Sequence, residues 1–112
     1  FLDEAQALYW AKRSIDFAFS CGATAASLIP TRPGNGALDE LAARGEFAPP
    51  TLATVEAAAE YGVGLRQGRV FTDLWDIGRI ATCPLCGPAR VERLRRANLN
   101  QVLDPPVPCS CE

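Results

Sequence analysis

At 112 residues the chain holds at most one domain with a modest core, and its 48% apolar and 21% charged content are globular values that argue against disorder. A formal net charge of −2 excludes a generally basic nucleic-acid binder, though not a local basic patch. No apolar run approaches the roughly eighteen residues that a membrane span requires, and no signal-peptide pattern is present, so a cytoplasmic, soluble chain without a membrane partner is expected.

The chain begins at Phe1, contains no Met, and reads as helix almost at once. A piece of a longer protein, or a processed one, is therefore expected. Residues 2 to 21 carry Leu8, Ala11, Ile15, Ala18 and Phe19 at spacings of three and four, an amphipathic stripe that Trp10 and Phe17 widen. Asp3 and Glu4 suit the positive end of this helix, and Gly22 stops it. Cys21 reads as a small buried hydrophobe, because a chain without histidine offers it no imidazole base.

Ala23 to Ile29 is a short apolar run between Gly22 and Pro30, which suits a buried strand. The loop Thr31-Arg-Pro-Gly-Asn-Gly36 continues neither strand nor helix. Strand, rigid polar loop and helix follow one another, and in parallel α/β architectures such loops meet ligands. Arg32 and Asn35 supply its hydrogen-bonding side chains, while Gly34 and Gly36 allow close backbone approach. The plainer reading is that proline and glycine only turn the chain.

Ala37 to Arg44 forms a short helix with Leu38, Leu41 and Ala42 as its apolar side and Gly45 as its stop. Thr51 caps a further helix from Leu52 to about Tyr61, with Val55, Ala58 and Ala59 on one side. Gly62, Gly64 and Gly68 loosen the next turn. Arg69 to Trp75 alternates as a second strand, with Val70, Thr72 and Leu74 on one face and Phe71, Asp73 and Trp75 on the other. Asp73 and Asp76 are either ligand contacts or turn caps. Pro88 to Gln101 returns to helix, with Val91, Leu94, Ala97 and Leu99 as its stripe, and three prolines keep the tail extended. Two strands do not complete a sheet, so the missing strands belong to the remainder of the parent chain or to a partner.

Four of the five cysteines fall in the last thirty residues, as Cys83-Pro-Leu-Cys86 and Cys109-Ser-Cys111. An odd, clustered set favours a metal site in a reducing compartment over disulfides. One close pair at each end of a helix matches a tetrahedral four-thiolate site, and structural zinc is the favoured occupant. An accessory iron–sulfur cluster, a redox dithiol and unligated cysteines are the rival readings. Arg90, Arg93, Arg95 and Arg96 lie beside the knuckle and either meet RNA phosphates or form a solvated face with Glu92 as counter-charge; the solvated face is favoured.

Ile15-Asp-Phe-Ala-Phe-Ser-Cys-Gly-Ala-Thr24, Ser27-Leu-Ile-Pro-Thr31, Asn35-Gly36, Leu41, Gly45-Glu-Phe47 and Pro49-Pro50 together resemble the last third of radical S-adenosylmethionine (SAM) proteins, nearest to the archaeosine-synthase-like group related to elongator-type members. The resemblance covers roughly residues 4 to 60. It implies an α/β fold with residues 1–80 as the last βα units of a partial (β/α) barrel; the cysteine-rich, zinc-binding helical tail at residues 81–112 is read from its own residues and is not matched to that family. The resemblance also implies a parent enzyme that cleaves SAM on a [4Fe–4S] cluster, with tRNA modification the expected branch. Ser27, Pro30, Thr31, Arg32 and Asn35 would then line the SAM or substrate pocket. The cluster motif Cys-x-x-x-Cys-x-x-Cys is absent from these residues, so no catalytic residue is assigned and the chain alone is expected to be inactive. A zinc-stabilised RNA- or protein-interaction module, or a structural domain without a ligand, would account for the same residues.

Overall fold

The computed structural model describes residues 3–34 and 36–111. Its elements follow in the order α1 (Glu4–Ser20), β1 (Ala25–Leu28), α2 (Ala37–Ala43), α3 (Leu52–Leu65), β2 (Arg69–Thr72), a 3₁₀ turn (Ile77–Arg79) and α4 (Gly87–Asn100). The expected α/β class is present among the described residues as four helices with a two-stranded parallel sheet.

Local chemistry sets most of the boundaries. Asp3 and Gln6 form a capping box: the Gln6 N–H donates to Asp3 Oδ1 at 2.8 Å, and the Asp3 N–H donates to Gln6 Oε1 at 3.2 Å. Gly22 (φ 93°) turns the chain out of α1, and Thr51 caps α3 by accepting the Thr54 N–H. β1 stops at Leu28 ahead of Pro30, which has no N–H for a ladder. β2 stops at Thr72, three residues before the expected Trp75, because Asp73 Oδ1 takes the Trp75 N–H at 2.9 Å and folds the backbone into a turn.

Other expectations are corrected. α3 runs through Gly62 and Gly64 to Leu65, so these glycines lie inside a helix. Gly62 has a packing reason to be there, since a Cβ would stand 3.0 Å from Val70 Cγ1; a helix glycine lets α3 lie directly on β2. On α1, Ile15 is buried as its stripe requires, but Trp10 and Phe17 are exposed, because the inward side faces α3 and nothing among the described residues covers the other. Cys21 is also exposed, sitting at the C-cap where the chain leaves the helix. Leu99, on the outer side of α4, is exposed as well.

The strands pair in the register Ala25↔Arg69 to Leu28↔Thr72. Ala26, Leu28, Val70 and Thr72 therefore share one face, and it is the more buried one. Ala25, Ser27, Arg69 and Phe71 share the other, where only Phe71 is partly covered. The core gathers Leu52, Val55, Ala59, Ile77 and Leu94, with Leu28, Val91 and Leu103 against it. Helix α4 thus shares one core with α3 and the sheet.

The two edges of the sheet are unlike. In a parallel ladder alternate residues bond to alternate sides. Arg69 and Asp73 donate their N–H groups to the carbonyls of Thr24 and Leu28, at 3.1 and 2.8 Å. Val70 and Thr72 face away from β1, and two side-chain amides of α4 meet them. Gln101 accepts the Val70 N–H at 2.8 Å and donates to the Val70 carbonyl at 3.0 Å. Asn98 does the same for Thr72, at 2.8 and 3.0 Å. Three helix residues rise about 4.5 Å and two strand residues about 6.6 Å; the longer Gln side chain makes up the difference. These amides occupy the place of a neighbouring strand, so β2 is closed at its outer edge. On β1, the outward backbone groups of Ala25, Ser27 and Ile29 have no such cover among the described residues.

Replacing Asn98 by Ala leaves the backbone groups of buried Thr72 without partners and should cost about 1–3 kcal/mol of stability. Urea denaturation of Asn98→Ala against the unaltered chain measures this; an unchanged midpoint would mean that α4 does not hold the edge.

Candidate metal centre

Cys83, Cys86, Cys109 and Cys111 converge, with their sulfurs all within 4.8 Å of one another. Cys83 and Cys86 lie on the turn leading into α4, closed by the Gly87 N–H donating to the Cys83 carbonyl at 2.8 Å. A Cβ at Gly87 would stand 2.7 Å from the Ala81 carbonyl oxygen, which explains a glycine there. The second pair arrives on the extended tail. Arg93 Nε donates to the Asp104 carbonyl at 2.7 Å and fixes the start of that tail, and Leu103 packs on the core. Across the centre Cys83 Sγ lies 3.8 Å from Cys109 Sγ, and Cys86 Sγ lies 3.4 Å from Cys111 Sγ.

The four thiols differ electrostatically. Backbone N–H groups of Cys86 and Leu85 point at Cys83 and lower its pKa to about 6. Burial raises Cys86 above the ordinary thiol value, with Cys111 and Arg90 opposing the rise. Cys111, hydrogen-bonded first to Cys86 and then to Cys109, is pushed up to about 12. Cys83 is ready as a thiolate, while Cys86 and Cys111 hold protons that an arriving cation would displace.

The arginines of α4 do not form one solvated face, which corrects that expectation. Arg90 and Arg93 are buried, and both donate to the buried Glu56 carboxylate of α3: Arg90 Nε at 2.9 Å and Arg93 Nη1 at 3.2 Å. Arg93 also pairs with Glu60. Arg95 and Arg96 are exposed and pair with Glu92 and Asp104. Sequence reading missed Glu56 as their shared partner. The available signal was the carboxylate pair Glu56 and Glu60 at helical spacing, on an otherwise apolar α3.

The loop after β1 lies well away from the cysteines in the chain and has its own organisation. Ser27 is exposed on the open sheet face, Pro30 is half-buried, and Thr31 is exposed. Arg32 binds the loop after β2: it donates to Asp73 Oδ2 at 2.6 Å and to the Trp75 carbonyl at 3.2 Å, with its guanidinium 4.7 Å from the Trp75 ring centre. The Trp75 N–H, then Arg32, hold the Asp73 carboxyl below its usual range. Arg32 and Asp73 therefore clamp the carboxyl ends of the two strands together. Asn35 lies outside the described residues. Thr31 also borders a groove of about 580 Å³ with Trp10, Ile29, Phe47 and Pro49. No helix among the described residues is long and apolar enough to cross a membrane.

No protein-family model, curated protein or solved structure matches this chain. The geometry of the chain itself carries the functional argument.

A metal that requires thiolates displaces the protons still held by Cys86 and Cys111, at least two per ion near neutrality. Zinc affinity should therefore rise with pH, by at least about two log units per pH unit between pH 7 and 8. Chelator-competition titrations at the two pH values measure the slope; a slope near zero would mean that the thiols are already ionised.

Proposed function

We propose that this chain is a zinc-stapled terminal segment of a partial (β/α) barrel, belonging to a radical SAM enzyme and contributing a wall of its SAM or substrate pocket. The zinc part rests on one observation: all four cysteine sulfurs lie within 4.8 Å of one another. Zinc–sulfur bonds of about 2.3 Å place the sulfurs of a tetrahedron about 3.8 Å apart, near the 3.4 and 3.8 Å separations found here. An iron–sulfur cluster puts several irons and sulfides between its cysteines and holds them further apart. Four protein ligands leave no open position, so the ion's role is to hold the tail against the start of α4.

The barrel part is supported by the asymmetry of the sheet. Parallel strands are normally covered on both faces, as in barrels and doubly wound sheets. Here helices cover one face, while the other carries the small Ala25 and Ser27 and stands open. Closure of β2 by Asn98 and Gln101 makes β2 a last strand, and further strands add beside β1. Arg32, clamped to Asp73 at the carboxyl ends of both strands, would form the pocket rim with Ser27, Pro30 and Thr31. These residues supply no Cys-x-x-x-Cys-x-x-Cys, so the chain's part is to bind and shape, and the cleavage chemistry of SAM on its cluster belongs to the rest of the parent protein.

The alternative, a zinc-stabilised module that binds RNA through the α4 arginines, loses Arg90 and Arg93 to Glu56 and Glu60. It would have to act through the exposed Arg95 and Arg96.

Metal analysis of protein purified without added metal should find zinc near one per chain. Iron with visible colour would replace zinc by an iron centre, and absence of both metals would remove the staple. For the barrel, the decisive observation is the coding sequence ahead of Phe1. A Cys-x-x-x-Cys-x-x-Cys segment should lie there, and the joined polypeptide, reduced anaerobically with SAM, should release 5′-deoxyadenosine. A preceding sequence without that motif would end the radical SAM reading while leaving the zinc site standing.

A further inference from the structure

A divalent ion on four thiolates carries two net negative charges, and Cys86 brings its share into a buried position, 3% exposed. Something must offset that charge from the protein side. Arg90 follows Cys86 by four residues on α4, so its side chain leans back over the Cys86 turn. Its Nη1 stands 3.9 Å from Cys86 Sγ. The other side of the same guanidinium is gripped by Glu56, which accepts from Arg90 Nε at 2.9 Å and also from Nη2. Glu56 is in turn held by Arg93, and Arg93 by Glu60 and the Asp104 carbonyl. An unbroken polar path thus runs from a metal-ligating sulfur to α3 and to the root of the tail.

We infer that Arg90 is a positioning residue of the metal centre: it offsets the thiolate charge at Cys86 and couples metal occupancy to the docking of α3 on α4 through Glu56. The inference rests on the metal reading of the four cysteines and adds to it a direction of influence. A bound metal fixes Cys86 as a thiolate facing Arg90, and so fixes the guanidinium that Glu56 needs. Conversely, Glu56 holds Arg90 at the one place where it faces the sulfur. Coupling of this kind is reciprocal, so whatever loosens α3 must weaken the metal, and whatever removes the metal must loosen α3. Zinc sites are commonly tuned by groups that touch the ligands rather than the ion, at ten- to hundredfold in affinity.

The test uses the full 112-residue chain and four variants. Zinc affinity is measured by competition with a chromophoric chelator, and the cobalt-substituted protein reports the thiolate-to-metal charge-transfer band. Arg90→Gln should weaken zinc about ten- to hundredfold and shift that band. Arg90→Lys keeps the charge without the fork and should fall between Arg90→Gln and the unaltered chain. Glu56→Gln touches no sulfur, yet should weaken zinc in the same direction. Asn98→Ala disturbs the β2 edge and should leave zinc affinity within about twofold, which separates coupling from general loss of stability. If Arg90→Gln does not fold, hydrogen exchange of the unaltered chain answers instead: stripping zinc should speed exchange across 52–65 more than across 25–28. Unchanged affinity and band in Arg90→Gln, an equal loss in Asn98→Ala, or uniform exchange on stripping would each overturn the role of Arg90 while zinc binding persists. An unaltered chain that binds no zinc would overturn both readings.

Discussion

Glu56 imposes the strictest demand in this molecule. A carboxylate at 8% exposure is expensive to bury without compensating partners, and this one receives two guanidiniums from the neighbouring helix. Removing Glu56 would take that carboxylate from two buried guanidiniums at once, against a cost of about 3–5 kcal/mol for breaking comparable buried pairs. The register of α4 against α3 follows from that demand. Arg90 and Arg93 must both reach one carboxylate, which fixes the helix's rotation and points Leu94 into the core. The same rotation turns Asn98 and Gln101 toward β2 and sets the Cys86 turn where the tail can return to it.

The sheet and the cysteine centre are thereby parts of one arrangement. The turn leading into α4 carries two of the sulfurs, the helix itself the buried arginines, and its carboxyl end the amides that close β2. One fourteen-residue helix serves a metal site, a charge network and a strand edge. Gln101 adopts a left-handed backbone (φ 56°) as the C-cap while its amide bonds Val70. A non-glycine residue in that region carries some strain, which the two strand hydrogen bonds offset.

Much of this was legible in the residues, and for identifiable reasons. Helices α1, α3 and α4 announced themselves because apolar spacing, Thr51 as a cap and Gly22 as a stop are local signals. The four cysteines were legible as a set because thiols at knuckle spacing have few other uses in a chain of this kind. What could not be read was everything that depends on a partner distant in sequence. Whether Arg90 is solvated or buried depends on Glu56, thirty-four positions earlier. Asp73 reads equally well as a ligand contact or a cap until Arg32 is found on it. Asn98 and Gln101 look like ordinary polar residues at the end of a helix. Gly62 and Gly64 looked like loop residues because propensity counts their flexibility, whereas the closeness of α3 to Val70 decides the matter at Gly62.

The closed outer edge of β2 has a consequence for how copies of this chain can associate. Unbounded strand-by-strand growth, the route to fibrous aggregates, requires every unit to offer two bare edges. Among the described residues, and where no further strand has added beside β1, this unit offers one. Two copies that met through their β1 edges would cover both and leave nothing for a third to join. The amides of Asn98 and Gln101 act as a chain terminator in the polymer chemist's sense, so self-association through the sheet ends at a pair.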